Sequence, residues 1–217
     1  MRIIEVPKLK TDKEIPPMAE VSQRLDEMGE GHQIGTVNWQ SHTYRPEVKF
    51  NMAWGTREIY IKYYVREQHV KAEKNHTNEM VCEDSCVEFF VSPEDDGIYY
   101  NFEFNPIGTA LMGSGHGRHD SARTDPAVVD GIRRLTTMGN EPFSEISGDV
   151  RWSITVAIPL ETFFHHKVGN LAGKTFRANF YKCGDKLTTP HFVTWNPVET
   201  EKPDYHRPEY FGILKFV

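Results

Sequence analysis

Residues 84–105 read DSCVEFFVSPEDDGIYYNFEFN. Two strongly alternating runs flank a polar turn, Ser92 to Gly97. Side chains alternate across a strand, so Val87, Phe89 and Val91 share one face of the first run. Ile98, Tyr100, Phe102 and Phe104 share one face of the second. Pro93, Asp95, Asp96 and Gly97 supply turn chemistry. The segment predicts a long antiparallel hairpin. Pairing Val91 with Ile98 sets Phe89 against Tyr100 and Val87 against Phe102. It also sets Glu88 against Asn101, and Cys86 against Glu103, on the opposite, polar face.

The same alternation recurs on both sides of the hairpin. Val48 to Trp54, Glu58 to Glu67, Val150 to Ile158 and Phe176 to Tyr181 each read as strands. Tyr210 to Val217 reads as a closing strand, with weaker strands at Ile107 to Gly117 and Ile132 to Met138. Residues 68–80, 118–129, 139–148 and 196–208 read as loops. Met18, Val21, Leu25 and Met28 fall at helical spacing before Gly29, which predicts one short amphipathic helix. Many strands with frequent turns predict an all-β fold, an antiparallel immunoglobulin-like β-sandwich with one short N-terminal helix. One domain over 1–217 is the expectation, with residues 1–33 as an extension and helix packed on it.

The formal net charge of −6 argues against nucleic acid, which needs a basic footprint. No stretch is long enough to span a membrane. Glu5, Lys8, Lys10 and Asp12 interrupt any signal-like apolar run near the N-terminus, so the literal reading is cytoplasmic. Cys82 and Cys86 would lie roughly 13 Å apart in extended chain, beyond disulfide reach. With Cys183, they read as unpaired thiols in a reducing compartment.

The aromatic share is 12%, with nine Tyr and four Trp, which suits a surface that stacks on a ligand. The outward positions of the strands carry Tyr60, Lys62, Tyr64, Arg66, Glu88, Asn101, Glu103, Asn105, Arg151, Ser153, Arg177, Asn179 and Tyr181. Arg, Asn, Glu and Tyr together match sugar hydroxyls, which both donate and accept. Cross-strand pairing on a solvated sheet is the plainer reading of these residues. Trp195, in a loop beside Asn196 and Pro197, suits stacking on a sugar or anchoring the loop. Glu88 and Glu103 on neighbouring strands could serve a glycosidase or a metal-assisted hydrolase. His116, His119, His165 and His166 show no metalloprotease-like spacing. Glu94, Asp95 and Asp96 offer hard oxygens for a structural calcium ion, or form a plain turn.

EDSCVEFFVSPEDDGIYYNFEFNPIGT, followed by WSITVAIPLETF, FRANFYKCGD, PHFVTWNP and HRPEYFGILKF, resembles the carbohydrate-binding module family 9-like proteins of the DOMON-like β-sandwich superfamily. The resemblance covers residues 35 to 217. It implies a non-catalytic sugar-binding sandwich, often exported, sometimes with structural calcium and sometimes associated with carbohydrate-active enzymes. It implies that Trp195 is one of two aromatics clamping a mono- or oligosaccharide, and that Glu83 and Asn105 assist. Cys82 stands where the second aromatic is expected, and Glu103 where binding members carry an arginine. Some DOMON relatives bind haem, which gives a redox domain as an alternative.

Overall fold

The computed structural model describes residues 1–217 and consists of two β-sheets packed face to face. In chain order the elements are β1 (Ile3–Val6), α1 (Met18–Asp26), β2 (His32–Gln33), β3 (Thr36–Val37), β4 (Glu47–Trp54), β5 (Glu58–Ala72), β6 (Cys86–Ser92), β7 (Tyr99–Phe104), β8 (Ala110–Gly115), β9 (Ala122–Arg123), α2 (Pro126–Asp130), β10 (Arg133–Thr136), β11 (Phe143–Pro159), β12 (Thr175–Cys183), β13 (Phe192–Thr194) and β14 (Gly212–Phe216). The larger sheet runs β1-β14-β12-β6-β7-β8-β9, with β13 and β3 added beside the far end of β12. The smaller sheet runs β10-β11-β5-β4-β2. The architecture is the expected β-sandwich.

The central hairpin forms, with its register displaced by two residues. Val91 faces Tyr100, Phe89 faces Phe102 and Val87 faces Phe104. The turn is responsible. Ser92 Oγ donates to the Ile98 and Glu94 carbonyls, and Asp96 Oδ1 accepts from the Ile98 amide. These bonds hold Ile98 in the turn and out of the ladder. A shift of two preserves the faces, because the side-chain period is two. It does bring Glu88 directly opposite Glu103.

The inward series of both sheets form one core. Phe50 stacks on Phe180 across the sheets at 3.8 Å between ring centres, and Phe180 stacks on Phe89 at 5.0 Å. Such aromatic pairs add to the stabilisation from burial alone. Helix α1 buries Val21 and Leu25 against Ala53, Tyr60 and Ala157 on the outside of the smaller sheet. Met28 lies outside this contact and is exposed.

Three sequence expectations need correction. Residues 68–72 continue β5 past a register shift against β11, which moves the buried apolar positions from the odd series of Ile59–Val65 to Val70 and Ala72. Residues 143–148 belong to β11, whose two bulges break the alternation that would reveal a strand. Ile3–Val6 is a strand, parallel to the C-terminal β14. No helix is long and apolar enough to cross a membrane.

Candidate functional site

The outward residues read from the sequence fall on two opposite surfaces. Tyr60, Lys62, Tyr64, Arg66, Arg151 and Ser153 belong to the smaller sheet. Glu88, Asn101, Glu103, Arg177, Asn179 and Tyr181 belong to the larger one. No single ligand face contains both sets.

On the smaller sheet Lys62, Tyr64 and Arg66 are paired with neighbouring acids. Tyr64 donates to Asp26 of α1 at 2.6 Å, and Lys62 pairs with the same carboxylate at 2.8 Å. Arg66 pairs with Asp149 and Glu47. A groove of about 410 Å³ passes Tyr64, and its charged lining is largely committed to these pairs. Tyr64 is therefore a helix-docking residue, on the face away from the site described below.

The outside of the larger sheet is different. A second apolar cluster, including Trp39, Phe90, Tyr99, Tyr181, Tyr205 and Phe211, lies there under the late loop 196–211. Tyr181 and Tyr205 stack at 4.0 Å, and Arg177 donates to the Pro208 and Glu209 carbonyls. Asn179 donates to the Asn196 carbonyl and accepts from its amide. Arg177 and Asn179 thus fasten the loop down. Arg177, expected to meet the sugar, is occupied by backbone.

Where this roof ends, a pocket of about 600 Å³ opens onto the sheet. Its floor includes Glu88, Glu103 and Cys183. Arg118, Ser121 and Arg123 come from the β8–β9 region, and Asp204, Tyr205 and His206 from the late loop. His42, Cys82, Asp185 and Phe192 complete much of the rim. Its volume falls in the range of roughly 300–1,000 Å³ typical of small-molecule sites. Phe192 meets His42 edge-on at 4.8 Å, which gives one side an aromatic wall.

The electrostatics of the floor are unusual. Burial, then the neighbouring Glu103, pushes Glu88 well above the usual carboxylate range. Burial raises Glu103 to about 7, against the opposing pull of Arg123 and the hydrogen bond from Asn101. Neither carboxylate forms an ion pair. Arg118 pairs with Asp204 at 2.9 Å, whereas Arg123 reaches only the Met80 sulfur. His206 is lowered to about 4 by burial and by Arg118, and its Nδ1 shares a hydrogen bond with Tyr99 Oη at 2.7 Å.

Of the polar and aromatic residues expected to meet a sugar, Glu88 and Glu103 line this pocket. Trp195 is 3% exposed, packs edge-on against Phe180 and belongs to the inter-sheet core. It is the loop anchor and offers no ring to a ligand. Asn105 is fully buried, donating to the Lys74 carbonyl and Asp84 and accepting from the Thr109 amide. Glu83 pairs with Lys186 at 2.7 Å and Lys74 at 3.1 Å, outside the pocket lining. The acidic turn does not gather Glu94, Asp95 and Asp96 into a calcium site. Asp96 caps the Ile98 amide and faces His166 at 3.2 Å. The donors that the fold does gather are Cys86, Glu88 and Cys183. Sequence reading missed Arg118, Asp204 and His206, which sit in loops, and Arg123, on the two-residue strand β9; none lies in a periodic run.

The profile of "Carbohydrate-binding family 9" matches residues 21–216. A comparison with curated protein sequences returned no match. Among solved structures, a candidate carbohydrate-binding protein from Bacteroides uniformis is 41% identical, with a TM-score of 0.95 over 100% of this chain and 99% of that one. A family 9 carbohydrate-binding module from Caldicellulosiruptor kristjanssonii, in complex with glucose, is 12% identical with a TM-score of 0.62 over 100% and 96% of the two chains. Such a module from the same organism in complex with cellotriose is 13% identical, with a TM-score of 0.60 over 99% and 93%. The two modules share the fold at low identity. The family match spans nearly the whole sandwich, and the chain belongs to carbohydrate-binding family 9.

Proposed function

We propose that the chain binds a mono- or oligosaccharide, without turning it over, in the pocket on the outer face of the larger sheet. One observation carries the reading. Glu103, Asp185, Asp204, Arg118 and Arg123 converge there beside the aromatic edge of Phe192. Hydroxyls that donate and accept can satisfy both carboxylates and guanidinium groups, while a ring's C–H face packs on an aromatic. Family membership and the glucose and cellotriose complexes of the two modules support the same ligand class.

The carboxylate geometry favours binding over hydrolysis. Glu88 and Glu103 are direct cross-strand neighbours and rise from one floor. A glycosidase pair must flank the scissile bond from two sides. The association with carbohydrate-active enzymes that the resemblance implies is a further part of this reading.

Calorimetric titration with glucose, cellotriose and a wider glycan panel tests the proposal. Phe192→Ala should weaken binding about tenfold, the effect of losing roughly 1.4 kcal/mol of contact. Tyr64→Ala, on the opposite surface, should leave it unchanged. Absence of binding across the panel, or sensitivity to Tyr64 alone, would refute it.

A further inference from the structure

We propose that Cys86, Cys183 and Glu88 are the protein ligands of a borderline-soft divalent cation, of which zinc is the type, set in the floor of the pocket. The backbone itself brings them together. Cys86 on β6 lies directly opposite Cys183 on β12. Glu88 is two residues beyond Cys86 and so shares its face. The two sulfurs and a Glu88 oxygen all lie within 4.8 Å of one another, and Cys183 Sγ is 3.1 Å from Glu88 Oε1. A tetrahedral zinc with Zn–S near 2.3 Å and Zn–O near 2.0 Å separates its ligand atoms by roughly 3.5–3.8 Å. Small side-chain rotations on two rigid strands bridge the difference.

A second observation points to a cation. Glu88 is 2% exposed, and the one hydrogen-bond partner of its carboxylate is the Cys183 thiol, a weak donor. The group facing it across the ladder is another carboxylate, Glu103, and no lysine, arginine or histidine forms an ion pair with either. Buried carboxylates are ordinarily paired or bound to metal. Arg118 and Arg123 line the same pocket but bond elsewhere, to Asp204 and the Met80 sulfur; the groups beside the Glu88 carboxylate are a thiol and, across the ladder, another acid. Sulfur ligands select zinc-like ions over calcium and magnesium, which require oxygen. Glu88 and Cys183 both line the pocket, so an ion has access from solvent. Cys82 lines the same pocket.

The test uses the full chain, reduced and stripped of metal. It is titrated with Zn²⁺ alone against a chromogenic chelator, and with Co²⁺ alone by absorption spectroscopy. One ion per chain is expected, with a near-ultraviolet thiolate-to-cobalt charge-transfer band. Cys86→Ser and Cys183→Ser should each weaken uptake by more than about 100-fold, exceeding the usual effect of changing an outer neighbour. So that misfolding of a variant does not decide the matter, the wild type is also alkylated with and without Zn²⁺. Cys86 and Cys183 are already shielded by burial, so bound metal should slow their alkylation further than burial alone does. Failure of the wild type to take up zinc, full uptake by both serine variants, a cobalt spectrum lacking thiolate character, or alkylation rates unchanged by zinc would overturn the proposal. A parallel sugar titration keeps the two readings separate, since either can fail while the other stands.

Discussion

Lys182 and Glu67 meet at 2.8 Å between the sheets, both side chains fully enclosed. Trp152 Nε1 donates to the other Glu67 oxygen at 2.8 Å, and Lys182 also donates to the Cys183 carbonyl and to His191 Nε2. The ammonium and the carboxylate thus share one buried polar knot joining β12 to β5. Removing one partner strands a charge in the interior. Lys182→Met should therefore cost about 3–5 kcal/mol, and adding Glu67→Gln should recover part of that loss. Denaturant unfolding of the wild type, both single variants and the double variant checks this. A loss below about 1 kcal/mol in Lys182→Met would contradict the account.

Two buried histidines predict how stability varies with pH. Burial, reinforced by Lys182, drives His191 well below its ordinary pKa, and His206 falls to about 4. Above pH 6.5 neither ring is protonated in either state, so neither affects stability. Between 6.5 and 4 the unfolded chain takes up protons that folded His206 refuses, and stability falls as pH falls. After allowance for solvent at the pocket edge, the His206 share is roughly 2–3 kcal/mol. Unfolding free energies from pH 8 to 4 should fall less steeply for His206→Gln than for the wild type. Equal slopes would remove His206 from the explanation.

The strands were legible wherever inward apolar residues alternate with polar ones. Phe89, Phe102, Phe176, Phe180, Trp152 and Ile154 all take the face that their parity assigns. The Glu67–Lys182 pair carried a readable signal too, since Glu67 continues the Ile59–Val65 series and Lys182 the Phe176–Phe180 series. What alternation cannot reveal is which sheet a strand joins. That is why Tyr64 and Glu103 looked like members of one face. Nor can local sequence show that Cys183 lies opposite Cys86, a contact set by the pairing of distant strands. The pocket rim was the least visible part, because Arg118 and Asp204 are positioned by loop closure.

Trp195 and Gly212 predict a loss of stability without a loss of sugar binding. A Cβ at Gly212 would stand 2.4 Å from Trp195 Cζ3 and 2.7 Å from the Arg2 carbonyl oxygen. The second neighbour is backbone and cannot simply swing away. Gly212→Ala should cost at least about 1–3 kcal/mol through overpacking. Trp195→Ala should cost about 3–5 kcal/mol through the cavity it leaves. Both variants, titrated well below their unfolding temperatures, should bind sugar as the wild type does. A selective affinity loss in folded Trp195→Ala would return that residue to the binding site.

Arg118 predicts the opposite pattern. It bridges from the β8–β9 turn to Asp204 in the late loop, with Nε and Nη2 at 3.1 and 2.9 Å from one carboxylate oxygen. The guanidinium is half exposed, so the pair adds less than about 1 kcal/mol to stability. Its importance is geometric, because it holds a planar set of donors and an acceptor at the pocket mouth. Arg118→Ala should leave the unfolding midpoint nearly unchanged and weaken saccharide binding about tenfold. Arg118→Lys keeps the charge without the planar fork and should recover only part of the affinity. Unfolding and titration measured on the same preparations separate the two effects. A large stability loss with unaltered affinity would place Arg118 in the scaffold and outside the sugar contacts.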